Sequence, residues 1–298
     1  MQKLVNLMRG DIGQNATNAV VSSQVTVTPI FTQGISCSGS NQTFTYYVLP
    51  IPSVAPINNQ SYCHQTAVNA TPINGSGTSY NWTNSNTSIG LVASGSNAVN
   101  AFNATNPGTS AISGNVNITP IFTFQGQSCN GPVGTYSITV NPRPYVNALN
   151  DTVICNNQNA AVNITTNIPA NITWFATQNT NVNGEITTIQ TNTFINDLLS
   201  NTSSVPQSVT YTITPTTLAG CIGPDSFVVV QVQPDVLLNI PQNLEICSGA
   251  GVNAILAANI PSNFSWFCTV NNPNVSGESL ITNSGAVIYD VLVNNSNQ

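Results

Sequence analysis

An all-β protein built of tandem antiparallel sandwiches with a 92-residue repeat is the fold class this sequence predicts, and three observations predict it. First, the only three tryptophans, Trp82, Trp174 and Trp266, stand 92 residues apart. Cys63, Cys155 and Cys247 keep the same step, each nineteen residues ahead of a Trp. Cys37, Cys129 and Cys221 form another such series, and so do Pro50, Pro142 and Pro234. Self-similarity at a fixed period is the signature of a repeat array. Second, short runs rich in Val, Ile, Thr and aromatics alternate with clusters of Asn, Gly, Ser and Pro, which is strand-and-turn patterning. Third, charged residues make up only 4% of the chain, against roughly 25% in an ordinary domain. Asn (45 residues), Thr and Ser carry the polar side instead, and these favour turns and exposed strand faces over helix interiors.

The unit from Tyr145 to Pro234 shows the elements in order. AVNITT (161–166), NITWFAT (171–177), SVTYTIT (208–214) and SFVVVQV (226–232) read as strands; FINDLLS (194–200) is too short for more than a strand or one turn. Several strands in about 92 residues, joined by short connections, fit an immunoglobulin-like β-sandwich. SYNWTNS (79–85), NITWFAT and NFSWFCT (263–269) are the same strand in successive units. Its tryptophan, in the middle of an apolar strand, reads as the core anchor between two sheets. YSITVNPRP (136–144), FVVVQVQP (227–234) and FTYYVLPIP (44–52) close each unit. Proline ends that last strand because it has no N–H for the ladder.

This register divides the chain into the back part of a domain (1–51), two complete domains (52–143 and 144–234) and the front part of another (235–298). AVNAFNATN (98–106), FINDLLSNT (194–202), VIYDVLVNN (287–295) and LVNLMRGDI (4–12) occupy the same place in successive units. The sequence thus begins and ends at about the same point inside a repeat, as a window onto a longer array would. The alternative is a strand-exchanged polymer, in which the front part of one chain is completed by the back part of the next.

Composition excludes whole function classes. The bases are Lys3, Arg9 and Arg143 and the net charge is −6. No cationic cluster exists to neutralise phosphates, so neither nucleic acid nor an anionic membrane surface is an expected partner. No apolar run approaches the ~20 residues of a spanning helix. MQKLVNLMRGDIG lacks the apolar region of a signal peptide, so an export signal is expected upstream or already removed.

Seven cysteines without a C-x-x-C pair, beside a single histidine, His64, read as a disulfide framework rather than a zinc site. An oxidised framework implies an exported protein. The favoured pairing is intradomain, Cys63–Cys129 and Cys155–Cys221, each across 66 residues. The rival uses the 26-residue spacing, Cys37–Cys63, Cys129–Cys155 and Cys221–Cys247, and both remain open at this point. Cys268 stands where the second unit has Ala176 and falls outside both series; it reads as a buried thiol.

DTVICNNQNAAVNI, the Trp strand and YTITPTTLAGCIGPDSFVVVQVQP together resemble the PKD-like repeats of giant surface proteins of Bacteroidota. That family shows a TVC-x-G segment, a Trp strand, a GC-x-G turn and a closing V-x-V-x-P strand. Here SYCHQ, VICNN and EICSG stand for the first element, and CNGP and CIGP for the turn; only the third unit has the Gly after the cysteine, as Gly249. The resemblance covers the whole chain. It implies a cell-surface, extracellular adhesin exported by the type IX secretion system, such as the filaments of gliding motility, with neighbouring repeats, surface polysaccharide or a substratum as partners. It also implies that Asp151-Thr152-Val153 is an acidic-Ser/Thr-aliphatic O-glycosylation signal carrying its sugar on Thr152.

Other candidate sites are thin. Asp151, Asp225, Asp235 and Glu245 fall near the expected junctions, where a calcium ion would need several oxygen ligands. Exposed Tyr46, Tyr47, Tyr80 and Tyr145 are candidates for stacking on sugars. His64 has no counterpart in the other repeats and is expected at the surface. No close carboxylate pair, nucleophile elbow or phosphate loop appears, so no catalysis and no cofactor are expected. The functions to weigh are a stalk segment of a large surface adhesin or filament, a polysaccharide-binding module, and a polymerising subunit.

Overall fold

The computed structural model describes residues 13–240, 243–269 and 272–296. Residues 1–12, with Lys3, Arg9 and the 4–12 segment, lie outside the described residues. Apart from one short 3-10 turn at Thr87–Ile89, every regular element among them is a strand. They fall into two compact units: residues up to Pro144 together with Thr216–Ile222, and Tyr145–Pro215 together with Gly223 onward.

In the first unit, β1 (Val21–Val27) and β2 (Gln42–Val48) form an antiparallel pair, with Val21 opposite Val48 and Val27 opposite Gln42. The residues that follow build a main sheet from β3 (Gln60–Cys63), β4 (Ser79–Asn84), β5 (Ser94–Ser96), β6 (Ile112–Phe124), β7 (Gln127–Asn130) and β8 (Gly134–Asn141). The order is β3-β8-β6-β4-β5, with β7 folding back on the far end of β6. β3 runs parallel to β8, and the other pairs are antiparallel. Short pairs, Thr71–Pro72 with Ala98–Val99 and Ala67–Val68 with Phe102–Asn103, make the opposing layer.

The second unit repeats this plan. β9 (Thr152–Ile154), β10 (Asn171–Ala176), β12 (Gln207–Thr216) and β13 (Ser226–Val232) form a sheet in the order β9-β13-β12-β10, again with a parallel edge, β9 on β13. β11 (Leu198–Asn201) belongs to the opposing layer. Beyond residue 234 the described residues form only short strands, among them β14 (Ser265–Trp266) and β15 (Val291–Asn294).

Period-two burial creates the cores. Along β12 and β13 alternate residues Val209, Tyr211, Ile213, Val228, Val230 and Val232 are fully buried, while their neighbours face outward. Valine and isoleucine suit such a pleated surface because their χ1 is already restricted. Trp82 and Trp174 are 1% and 2% exposed and lie at the centres of the two cores. Each indole N–H, which would be costly to bury alone, donates to a carbonyl across the sandwich: Trp82 Nε1 to Ala98 O at 2.8 Å and Trp174 Nε1 to Asn192 O at 3.0 Å. Gly95 lies against the Trp82 ring, where a Cβ would collide with it.

Candidate functional site: a cross-link between successive repeats

Cys63 ends β3, opposite Asn141 of the closing strand β8. The chain then turns sharply. His64 N–H donates to Asn141 O at 2.8 Å, Gln65 takes a positive φ of 65°, and Thr66 N–H returns to Cys63 O at 3.1 Å. Beside the turn, His64 Nδ1 accepts the Asn106 N–H at 3.0 Å. Buried Asn106 in turn donates its amide to Val140 O at 2.7 Å and Ser110 O at 2.9 Å. These bonds tie the cysteine's turn to the end of β8.

Cys221 lies in the tip between β12 and β13. Gly220, with φ 80°, allows the turn, and its N–H donates to Thr217 O at 2.9 Å. The Thr217 hydroxyl accepts the Cys221 N–H at 3.1 Å, and Gly223 N–H donates to Pro215 O at 2.8 Å. A disulfide joins Cys63 to Cys221, with a Cα–Cα distance of 5.5 Å and a sequence separation of 158 residues. Cys221 is fully buried.

This corrects the intradomain pairing expected for Cys63, Cys129, Cys155 and Cys221. The physical reason is strand direction. Cys63 lies beside the C-terminal end of β8, at Asn141, whereas Cys129 precedes its N-terminal end, Gly134. Eight residues of strand therefore separate them, about 26 Å at 3.3 Å per residue, against the ~7 Å limit for a bridgeable pair. Cys155 and Cys221 flank β13 at opposite ends in the same way. The 26-residue alternative is also not what forms, since Cys63 and Cys221 are bonded to each other, and Cys37, Cys129, Cys155 and Cys247 carry no disulfide. Cys268 is half-buried; its thiol points at Glu278 Oε1, 3.9 Å away.

The remaining candidates are dispersed. Tyr80 is buried, a correction to its expected exposure, and its hydroxyl accepts Gly77 N–H at 3.1 Å. Tyr46, Tyr47 and Tyr145 are exposed, and the Tyr47 ring packs against Phe124 at 5.3 Å between centroids. His64 is half-buried rather than at the surface, held by the Asn106 contact. Asp151 Oδ1 accepts Val229 N–H at 2.8 Å and Asp225 Oδ1 accepts the Thr214 hydroxyl at 2.5 Å. Asp235 and Glu245 are exposed. Among the described residues no three carboxylate, thiol or imidazole groups gather as a metal site would require. Thr152 is half-buried in β9, opposite Val230.

Two structural series escaped the 92-residue period. Asn15, Asn106 and Asn201 each tie a loop to the closing strand of their unit, donating to Val48 O, Val140 O and Val232 O. Gly90, Gly184 and Gly277 share φ near 96°, and a Cβ on each would strike the carbonyl of Asn103, Leu198 or Val291. Asn106 lies 24 residues after Trp82 but Asn201 lies 27 after Trp174, so a fixed step misses both series. The recurring Asn ahead of Thr, Gly or Ser was the available signal.

Burial and polar chemistry meet at Tyr211. Its hydroxyl donates to buried Asp197 Oδ2 at 2.9 Å, and Ile186 N–H donates to the same oxygen at 2.8 Å. Burial first, and then the Asp197 carboxylate, raise the Tyr211 phenol well above its usual pKa. Burial, with a smaller contribution from Tyr62, pushes Tyr136 up to about 12.

Residues 152–236 and 244–298 match the family model described as the PKD-like domain. No curated protein matches the sequence. Solved structures similar to the chain include the titin I-band fragment I67–I69, at 10% identity and a TM-score of 0.41, covering 84% of this chain and 90% of that one. Human CDH23 EC21-23 matches at 8% identity and 0.33, covering 74% and 85%. DIP-gamma IG1+IG2 matches at 11% and 0.30, covering 62% and 99%. The fold is a tandem of immunoglobulin-like, PKD-like β-sandwiches. A disulfide belongs with an oxidising compartment. No helix among the described residues is long and apolar enough to cross a membrane.

Proposed function

We propose that this chain is a non-catalytic stalk segment of a large secreted cell-surface adhesin or filament, acting in attachment to surfaces and in gliding motility. The observation that carries this reading is the Cys63–Cys221 bond, which joins one repeat to the next by a second covalent route besides the backbone. A load along the chain is then shared between backbone and disulfide at that junction. The sparse charge supports the same role, because contacts with few ions have little for salt to screen. Labelling intact producing cells with antibodies raised to this segment tests the reading. Signal on extracellular filaments, together with weaker attachment after an in-frame deletion, is expected. Label confined to permeabilised cells, or unchanged attachment, contradicts it.

A second reading, the strand-exchanged polymer, is favoured by the outer segments. Phe44 and Tyr46 are each 47% exposed, whereas Tyr136 and Ile138, which hold the same register in β8, are 2% and 0% exposed. The β1–β2 pair thus offers an exposed apolar face. Light scattering on the purified chain separates the readings: a series of head-to-tail oligomers that Phe44→Lys dissolves supports exchange, and a monomer at 100 μM concentrations opposes it.

A further inference from the structure

The register of the one disulfide extends to cysteines that carry none. Cys155 is the counterpart of Cys63, since each stands at the C-terminal end of the strand that runs parallel to its unit's closing strand, β9 on β13 and β3 on β8. Cys129 is the counterpart of Cys221, in the tip ahead of the closing strand. The match extends to the hydrogen bond that closes each tip: Gly131 N–H to Pro120 O at 2.9 Å, and Gly223 N–H to Pro215 O at 2.8 Å. Cys129 and Cys155 cannot pair with the other series inside their own repeat, for the reason of strand length given above. A position 158 residues after Cys155, or 158 before Cys129, falls outside the 298 residues, and the same holds for Cys247 and Cys37. The four cysteines of the two series without a disulfide are therefore the four whose partner in this register is not among these residues.

A separate contact shows which way the tips reach. Thr216–Ile222, the tip carrying Cys221, groups with the residues up to Pro144 rather than with its own repeat. In the first full repeat, Phe124 of the corresponding tip packs on Tyr47, which precedes that repeat. Cys129 pairs across the same hairpin with Phe122, two residues from Phe124. Both tips contact residues that come before their own repeat, and for the tip of Cys221 these include Cys63 at the end of β3.

We propose that Cys155 and Cys129 are open rungs of a disulfide ladder. Cys155 bonds the turn cysteine of the repeat that follows, and Cys129 bonds the first-strand cysteine of the repeat that precedes. That repeat belongs either to the same polypeptide or to a second copy; in a second copy the rungs would be Cys155–Cys37 and Cys247–Cys129, which uses every cysteine of both series. Each rung forms by thiol–disulfide exchange with a donor disulfide, such as oxidised glutathione or a periplasmic dithiol oxidase. Two thiols become one disulfide, and the two electrons and two protons reduce the donor to two thiols. Cys155 is exposed and Cys129 half-buried, so a donor reaches both. The inference does not depend on the adhesin reading.

The test is peptide mapping, without reduction, of the native polypeptide carrying this sequence, alkylated on the cells and digested with pepsin at acid pH to prevent exchange. Expected is a peptide of Cys155 linked to a turn-type cysteine peptide. If that partner is Cys37, the rung joins two copies; if it is a turn peptide from elsewhere in the same polypeptide, the rung lies within one chain. Cys155→Ser should abolish this link and leave Cys63–Cys221 intact. Finding Cys155 alkylated as a thiol, or linked to Cys129, Cys221 or Cys247, overturns the ladder.

Discussion

Residues 145–234 and the segment from 235 onward share a sequence pattern, yet they differ in what the pattern achieves. Trp174 is buried, stacked edge-on against Tyr211 with centroids 5.7 Å apart, and its indole N–H is satisfied. Trp266, at the same point of the repeat, is only half-buried, and its Nε1 is enclosed without a hydrogen-bond partner. Leu199 is fully buried in β11, whereas Leu292 of β15 lines an open cleft with Ile246, Val275 and Asn294. Both carboxylates accept a backbone N–H at 2.8 Å, from Ile186 and from Ser279, but Asp197 also receives the Tyr211 hydroxyl where Asp290 receives that of Ser279. The difference is the β12–β13 pair, which supplies half the core of the full repeat. Among the described residues after 234 no strand pair of that length backs Trp266, and a sandwich core needs both inner faces.

The largest expected effect breaks this comparison if it fails. Trp174→Ala should destabilise its repeat by about 3–5 kcal/mol, the range for deleting a buried large aromatic. Trp266→Ala should cost about 1 kcal/mol, because its ring is less enclosed. Hydrogen exchange resolved by segment is the measurement, since a chain of several units has no single unfolding midpoint. Equal losses at both sites would mean that the segment after 235 has a core of its own.

A smaller effect is expected at the buried amide. Asn201→Ala leaves Val232 O without its side-chain donor and takes one of two donors from Val205 O, a loss of about 1–3 kcal/mol. Exchange protection should fall first at the end of β13. The equivalent Asn106→Ala should loosen the Cys63 turn as well, because losing the side-chain bonds to Ser110 O and Val140 O frees the loop whose backbone N–H donates to His64.

Alkaline titration sharpens the comparison further. A phenol is neutral while protonated, and burial raises the folded-state pKa of Tyr136 and Tyr211 above the ordinary 10.0. The stability each contributes is therefore whole below pH 10 and is lost as pH rises toward the folded value, which for Tyr136 spans pH 10 to about 12. Ultraviolet titration should show these two phenols ionising late and together with unfolding. The smallest effect belongs to Tyr136→Phe. The Tyr136 hydroxyl is buried without a partner, so removing it should be neutral or slightly stabilising, and thermal melts of the two proteins should nearly coincide.

Much of the fold was legible because burial on a strand has a period of two and the array has a period of 92 residues. The Trp strands and the closing V-x-V strands follow from those periods and lie in the cores. The cross-link was not legible. A spacing of 66 residues carries no direction, and only the parallel placement of β3 on β8 reveals that Cys63 and Cys129 lie at opposite ends of one strand. The Asn15, Asn106 and Asn201 anchors were hidden by a three-residue shift between units, although their hydrogen bonds are the same in each. Tyr80 was misplaced because an aromatic beside a Trp on a strand was read without fixing the face its neighbours define; β4 buries Tyr80, Trp82 and Asn84 together.

The Cys63–Cys221 bond is the claim on which the linked-repeat account rests, and one measurement addresses it directly. The purified chain, refolded with oxidised and reduced glutathione, is alkylated, digested with pepsin at acid pH and analysed by mass spectrometry without reduction. A peptide pair containing Cys63 and Cys221, which separates only after reduction, is the predicted result. Recovery of Cys63 with Cys129 and of Cys155 with Cys221 would contradict it and return each disulfide to a single repeat.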